Sequence, residues 1–115
     1  MLTKYLEKNA FYPGEIAVTA SSNSWRVMQD TTIIKTDFVL AVGASGAGST
    51  VVNIIKNGDA LDIVATATFA DGSNLVQSDS SEVNLLAGET LQVIVPTVAG
   101  TPGDDLLVQF LYYNP

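Results

Sequence analysis

The sequence predicts an all-β chain: a single antiparallel β-sandwich of the jelly-roll or Greek-key type with an extended N-terminal arm. Three observations carry that expectation. From Trp25 onward apolar residues recur at i, i+2 and not at the i, i+3, i+4 spacing of a helix. Turn signals at Asn57-Gly58, Asp71-Gly72, Gly88, Pro96 and 99–104 separate runs rich in β-branched and aromatic residues. At 115 residues the chain holds one domain's worth of material. The expected organisation is an arm and linker over 1–23 and a sandwich over 24–115.

The arm stands apart from the rest of the chain. Residues 1–10 carry Leu2, Tyr5 and Leu6, enough for one weak helical turn or an extended anchor, and Pro13-Gly14 then implies a turn. Ile16 and Val18 come next, and 20–24 is a small polar link. Two readings stand side by side. The segment is a frayed terminus or one edge strand laid on the sheet through Ile16 and Val18, or it is an arm that orders on a partner. Five large apolar side chains (Leu2, Tyr5, Leu6, Phe11, Tyr12) exceed what a solvated tail needs, so these, with Ile16 and Val18, are the candidate partner-binding residues.

Within the sandwich, 25–29 alternates. Residues 31–42 form a run too long for one flat strand, with a bend expected near Thr36-Asp37. A glycine loop spans 43–48 and a strand 49–56. Asn57-Gly58 then marks a two-residue hairpin, because a type I′ turn needs positive φ at both central positions. The return strand covers 60–65 and continues through 66–69. Residues 73–81 are polar and break the pattern, 82–86 leads to Gly88, 90–95 is a strand stopped by Pro96, and 106–113 is the last strand. That makes seven or eight strands.

The last strand is apolar on both faces: Leu106, Val108, Phe110 and Tyr112 point one way, Leu107, Leu111 and Tyr113 the other. A sandwich standing alone needs one apolar face per strand. A second buried surface is therefore expected from another subunit, with Phe38, Leu40, Leu107, Leu111 and Tyr113 as the candidate oligomer contact; the competing reading is that Leu107 and Tyr113 merely cap the edge of the sandwich.

Composition narrows the chemistry. Hydrophobic residues are 47% and charged residues 15%, fewer charges than the quarter typical of soluble domains. Cysteine and histidine are both absent, which removes disulfides, thiolate and imidazole metal sites and any Ser-His or Cys-His pair. Residues 1–57 carry a net +1 and 58–115 a net −8. A surface of that sign repels phosphate, so nucleic acid is not an expected partner. No apolar run approaches a membrane span, and Glu7 and Lys8 interrupt any leader-like stretch, so no membrane is expected either.

The remaining motifs are weak. Residues 44–49 have the small side chains of a phosphate loop without the Gly-Lys-Ser/Thr that completes one. Residues 71–74 and Asp104-Asp105 offer oxygens but not the ordered spacing of a calcium loop. The carboxylates sit in turns and not as a pair across a cleft. Trp25, the only tryptophan, reads as a plug at one end of the sandwich more readily than as a sugar platform. The expectation is no enzyme, no cofactor and no metal.

Three blocks carry a resemblance: Gly-Ser-Thr-Val-Val-Asn-Ile-Ile-Lys-Asn-Gly at 48–58, Leu-Ala-Gly-Glu-Thr-Leu-Gln-Val at 86–93, and Thr-Pro-Gly-Asp-Asp-Leu-Leu-Val at 101–108. Together, over about 38–113, they resemble a β-sandwich module of tailed-bacteriophage virion proteins. One sandwich plus a short arm is most similar to the head-decoration, or cement, proteins. The resemblance implies a structural protein of the virion's outer capsid surface, a homo-oligomer (a trimer) whose partner is the major capsid protein. The competing expectation is a receptor-binding or tail-fibre tip module that recognises a host-surface glycan.

Overall fold

Nine strands make two antiparallel sheets in a computed structural model that describes residues 4–18, 24–70, 72 and 75–115. They are β1 (Leu6–Glu15), β2 (Ser24–Arg26), β3 (Thr31–Val42), β4 (Thr50–Lys56), β5 (Asp59–Phe69), β6 (Val76–Asp79), β7 (Val83–Leu85), β8 (Thr90–Thr97) and β9 (Asp104–Tyr113). One sheet runs β1-β9-β3-β6, with β7 following β6 along the same edge of β3; the other runs β2-β8-β4-β5. This is a β-sandwich with the strand order of a jelly roll, in which the chain passes repeatedly between the two sheets.

The period of two explains the core. Ile33, Phe38 and Leu40 from β3 and Leu106, Val108 and Phe110 from β9 face Val52 and Ile54 of β4, Ala65, Ala67 and Phe69 of β5, and Leu91, Val93 and Val95 of β8. Burying each of the larger side chains contributes about 1.5–3 kcal/mol. Asn57 (φ 55°) and Gly58 (φ 70°) form the expected hairpin turn, both in the left-handed region that type I′ requires.

Of the two readings of the N-terminal segment, the structure bears out the edge strand and not the free arm, but through Leu6–Glu15 and not through Ile16 and Val18. Leu6–Glu15 is the edge strand of its own sheet, paired antiparallel to β9 from Leu6↔Tyr112 to Tyr12↔Leu106. Pro13-Gly14 makes no chain reversal. It is a bulge, with Gly14 at φ 84°, after which pairing resumes at Glu15↔Asp104. The Asp105 carboxylate fastens the bulge by accepting the Gly14 N–H at 2.7 Å. The reason is burial: Ala10 and Tyr12 pack on the core and Ile16 lies within it, so the strand is worth more on β9 than in solvent.

Three other features depart from the pattern. The irregularity in β3 falls between Ile33 and Lys35, ahead of Thr36-Asp37. β8 runs through Pro96 to Thr97. The polar stretch at 73–81 contains a strand, β6, whose inward side chains close the open flank of β5. Gln77 Oε1 accepts the Thr68 N–H at 3.0 Å, Gln77 Nε2 donates to the Thr68 carbonyl, and Asp79 Oδ2 accepts the Thr66 N–H at 3.0 Å. Burial works against the Asp79 charge, but bonds from Ser81 and Thr66 outweigh it and hold its pKa below the ordinary value.

Candidate interaction surfaces

Among the described residues, two surfaces remain once the core is filled. The first is the end of the sandwich where β4 turns into β5, β7 into β8 and β2 into β3. Its turns are bolted together. The Asn57 N–H donates to the Thr90 carbonyl at 2.9 Å, and Asn57 Oδ1 accepts the Thr90 N–H at 3.0 Å. Asn57 Nδ2 donates to Glu89 Oε2 at 2.8 Å, while Glu89 Oε1 accepts the Leu86 N–H at 2.8 Å. The Gly88 N–H reaches the Val27 carbonyl at 2.7 Å, and the Ala87 N–H reaches Asp30 Oδ1 at 3.0 Å. The Leu86 N–H, then Asn57 and then Lys56, whose Nζ lies 3.4 Å away, hold the Glu89 carboxyl below its usual pKa.

Two of these fastened turns each raise one large apolar side chain into solvent, and the β5 bulge beside the third raises another. Met28 is 82% exposed, Leu61 93% and Leu86 66%. Leu61 stands out because three residues loop from β5 between the pairs Ile55↔Ile63 and Lys56↔Asp59. Turn tips normally carry polar residues. The same end carries Asp30, Asp59, Asp62 and Glu82 around the apolar tips, against Arg26 and Lys56.

The second surface is the outer face of the β1-β9-β3-β6 sheet. Pairing places Phe11, Leu107, Val39 and Val76 in one row across all four strands, with Phe11 58% and Val76 56% exposed. The next row is polar (Asn9, Gln109, Asp37, Ser78), and the one beyond is Glu7, Leu111, Lys35. Tyr5 and Tyr113 meet edge to face at the margin, ring centroids 6.0 Å apart.

The expected site residues divide between these surfaces and the core. Phe38 (0% exposed) and Leu40 (1%) are not oligomer contacts: they point into their own core, and the outward side chain between them is Val39. Leu107, Leu111 and Tyr113 do lie on the outer face. Among the candidate arm residues, Ile16 is core, Tyr12 packs against it and Leu6 is half-buried, whereas Tyr5, Phe11 and Val18 are exposed. Leu2 lies outside the described residues. Sequence reasoning misses Met28, Leu61, Leu86, Val39 and Val76, since apolar residues in turns and on both faces of a strand look the same there as core residues.

Other candidate chemistry is occupied structurally. Trp25 packs its ring on Phe110 and Tyr112, centroids 5.6 and 5.1 Å away, with Lys8 Nζ 6.0 Å above it, so the indole plugs the open side between β1 and β2. Asp105 ties down β1. Residues 71, 73 and 74 of the second oxygen-rich turn lie outside the described residues. A cleft of about 180 Å³ between the sheets is lined by Tyr12, Ile16, Val93, Val95 and Leu106, and Glu15 is the one carboxylate among its described residues. No helix among the described residues is long and apolar enough to cross a membrane.

The whole fold has counterparts among solved structures. It aligns with a chain of the acidic stable capsid structure of Helicobacter pylori bacteriophage KHP30 at a TM-score of 0.68 and 11% identity, covering 99% of this chain and 91% of that one. It aligns with the Drosophila NLP core, a structure described as providing insight into pentamer formation and histone binding, at a TM-score of 0.54 and 11% identity, covering 92% and 96%. The sugar-binding C-terminal domain of EclA aligns at a TM-score of 0.44 and 16% identity, covering 96% and 79%. At these identities the agreement is one of fold. No family model and no curated protein matches the chain.

Proposed function

We propose that this chain is a structural, non-enzymatic protein of a bacteriophage virion that binds the outer surface of the assembled head, against the major capsid protein, and stabilises it. The observation that carries the reading is the loop end: turns cross-linked by hydrogen bonds hold Met28 and Leu86 out in water, and the β5 bulge beside them does the same for Leu61. Apolar tips on a fastened backbone are built for contact, because covering them costs side-chain freedom but little backbone ordering. The acidic side chains around them suit a basic patch on the shell. Agreement in fold over nearly the full length of a phage capsid chain supports the same setting.

The mechanism is mass action. A protein that binds only the assembled shell stabilises that state by RT ln(1 + [L]/Kd), about 2.7 kcal/mol per site at a concentration of 100 Kd. Repeated sites on one particle add avidity when the protein is itself a homo-oligomer. No cofactor enters.

Co-sedimentation with expanded empty shells of the cognate phage tests the reading. The protein should pellet at saturating, regular occupancy. The triple variant Met28→Ser, Leu61→Ser, Leu86→Ser should stay in the supernatant while unfolding at the wild-type temperature. Wild-type protein that fails to pellet with the shells, or a triple variant that pellets at full occupancy, overturns it.

A further inference from the structure

We propose that the outer face of the β1-β9-β3-β6 sheet is a self-complementary interface on which a second copy of this chain packs face to face, about a two-fold axis running parallel to β9. The pair forms in the free protein, whether or not that protein attaches to a capsid.

The rows across the sheet show why. A two-fold axis lying above β9 and parallel to it keeps each row in place and exchanges the strands on either side, so β1 of one copy lies over β3 of the other. Row by row the partners then match. Glu7 faces Lys35 of the second copy, and Lys35 faces its Glu7. Asn9 faces Asp37, an amide donor against a carboxylate acceptor. Phe11 faces Val39. The β9 residues lie on the axis and meet their own copies: Leu111 on Leu111, Leu107 on Leu107, and Gln109 amide on Gln109 amide, a pairing in which each donates and each accepts.

The alternative two-fold, across the strands, does not have this property. It would set Glu7 on Phe11 and Lys35 on Val39, burying charge against apolar surface without a partner. Of the two, only the axis along β9 matches the three rows from Glu7 to Phe11. The charges are already oriented for it: Gln109 Nε2 donates to Glu7 Oε1 at 2.9 Å, and Lys35 Nζ sits 3.5 Å from Asp37, so each is held near the plane of the face.

The size is sufficient. Three strands of about nine residues each span roughly 14 by 27 Å at normal strand spacing and rise. With side-chain relief on both partners this buries on the order of 1,000 Å², where specific interfaces begin. The pair is two-fold, in contrast to the trimer that the phage resemblance implies.

Sedimentation equilibrium on the purified chain tests this by charge exchange. Wild type should sediment as a dimer. Lys35→Glu sets two carboxylates against each other across the interface, and Glu7→Lys sets two ammonium groups against each other, so each single variant should weaken association at least tenfold. The double exchange should restore it to within about threefold of wild type. Circular dichroism of all four proteins, and thermal unfolding at a concentration low enough that all are monomeric, control for folding, and these surface exchanges should leave both unchanged. A wild type that stays monomeric at high micromolar concentration, a trimer indifferent to the exchanges, or a double variant no better than the singles overturns the proposal. Shell pelleting by a monomeric wild type would overturn this interface while leaving the capsid reading standing.

Discussion

Asn57 Nδ2 donates to Glu89 Oε2 at 2.8 Å across two hairpin connections that are 32 residues apart in the chain. The same asparagine occupies the left-handed region at φ 55°. One side chain therefore shapes its own turn and fastens the neighbouring one. Asn57→Ala should lose both contributions: about 1–2 kcal/mol for the left-handed backbone and about 1 kcal/mol for each hydrogen bond. Asn57→Gly keeps the turn and loses only the fastening, so it should be the milder variant. Urea denaturation of the two, compared with wild type, checks the order.

Acid should loosen the same end. The Glu89 pKa in the folded chain lies below its ordinary value of 4.5, chiefly through the Leu86 N–H and Asn57. A depressed carboxylate pKa means that the unfolded chain binds the proton more tightly. The stabilisation is therefore fully present above about the ordinary value and is lost as pH falls through the lower folded one. Amide exchange at Leu86 should accelerate, relative to the intrinsic rate, across that acid window in wild type. In Glu89→Gln the window should disappear.

Neighbouring residues on β3 should respond in opposite ways. Phe38→Ala opens a cavity in the core and should cost about 3–5 kcal/mol of stability. Val39→Asp, one residue along and on the outer face, should change stability by about 1 kcal/mol or less while driving the proposed dimer to monomer. Thermal unfolding and sedimentation on the same two samples separate the roles.

Most of the fold is legible in the sequence because its signals are local. Alternation in 106–113 separates Leu106, Val108 and Phe110 from Leu107 and Leu111, and the structure keeps that division. Asn57-Gly58 specifies its turn through backbone sterics alone. The misses are non-local. Val76–Asp79 reads as loop because its polar residues, Gln77 and Asp79, serve the backbone of β5, a partner that no window around residue 77 contains. Sequence reasoning puts Phe38 and Leu40 on the wrong face because β3 is apolar on both sides and its pairing with β9 sets which side is inward.

Local chemistry alone settles the class of structure and rules out thiolate and imidazole chemistry: a period of two, turn residues with the required φ, and an inventory without histidine or cysteine. Those are properties of single residues and near neighbours. Three-dimensional packing was needed to show that residues 6–15 are an edge strand, that Leu61, Met28 and Leu86 share one end, and that Glu7 and Lys35 flank Leu111 in one row. Each depends on which strands lie side by side, and strand register is set by packing between segments about a hundred residues apart, which no local pattern encodes.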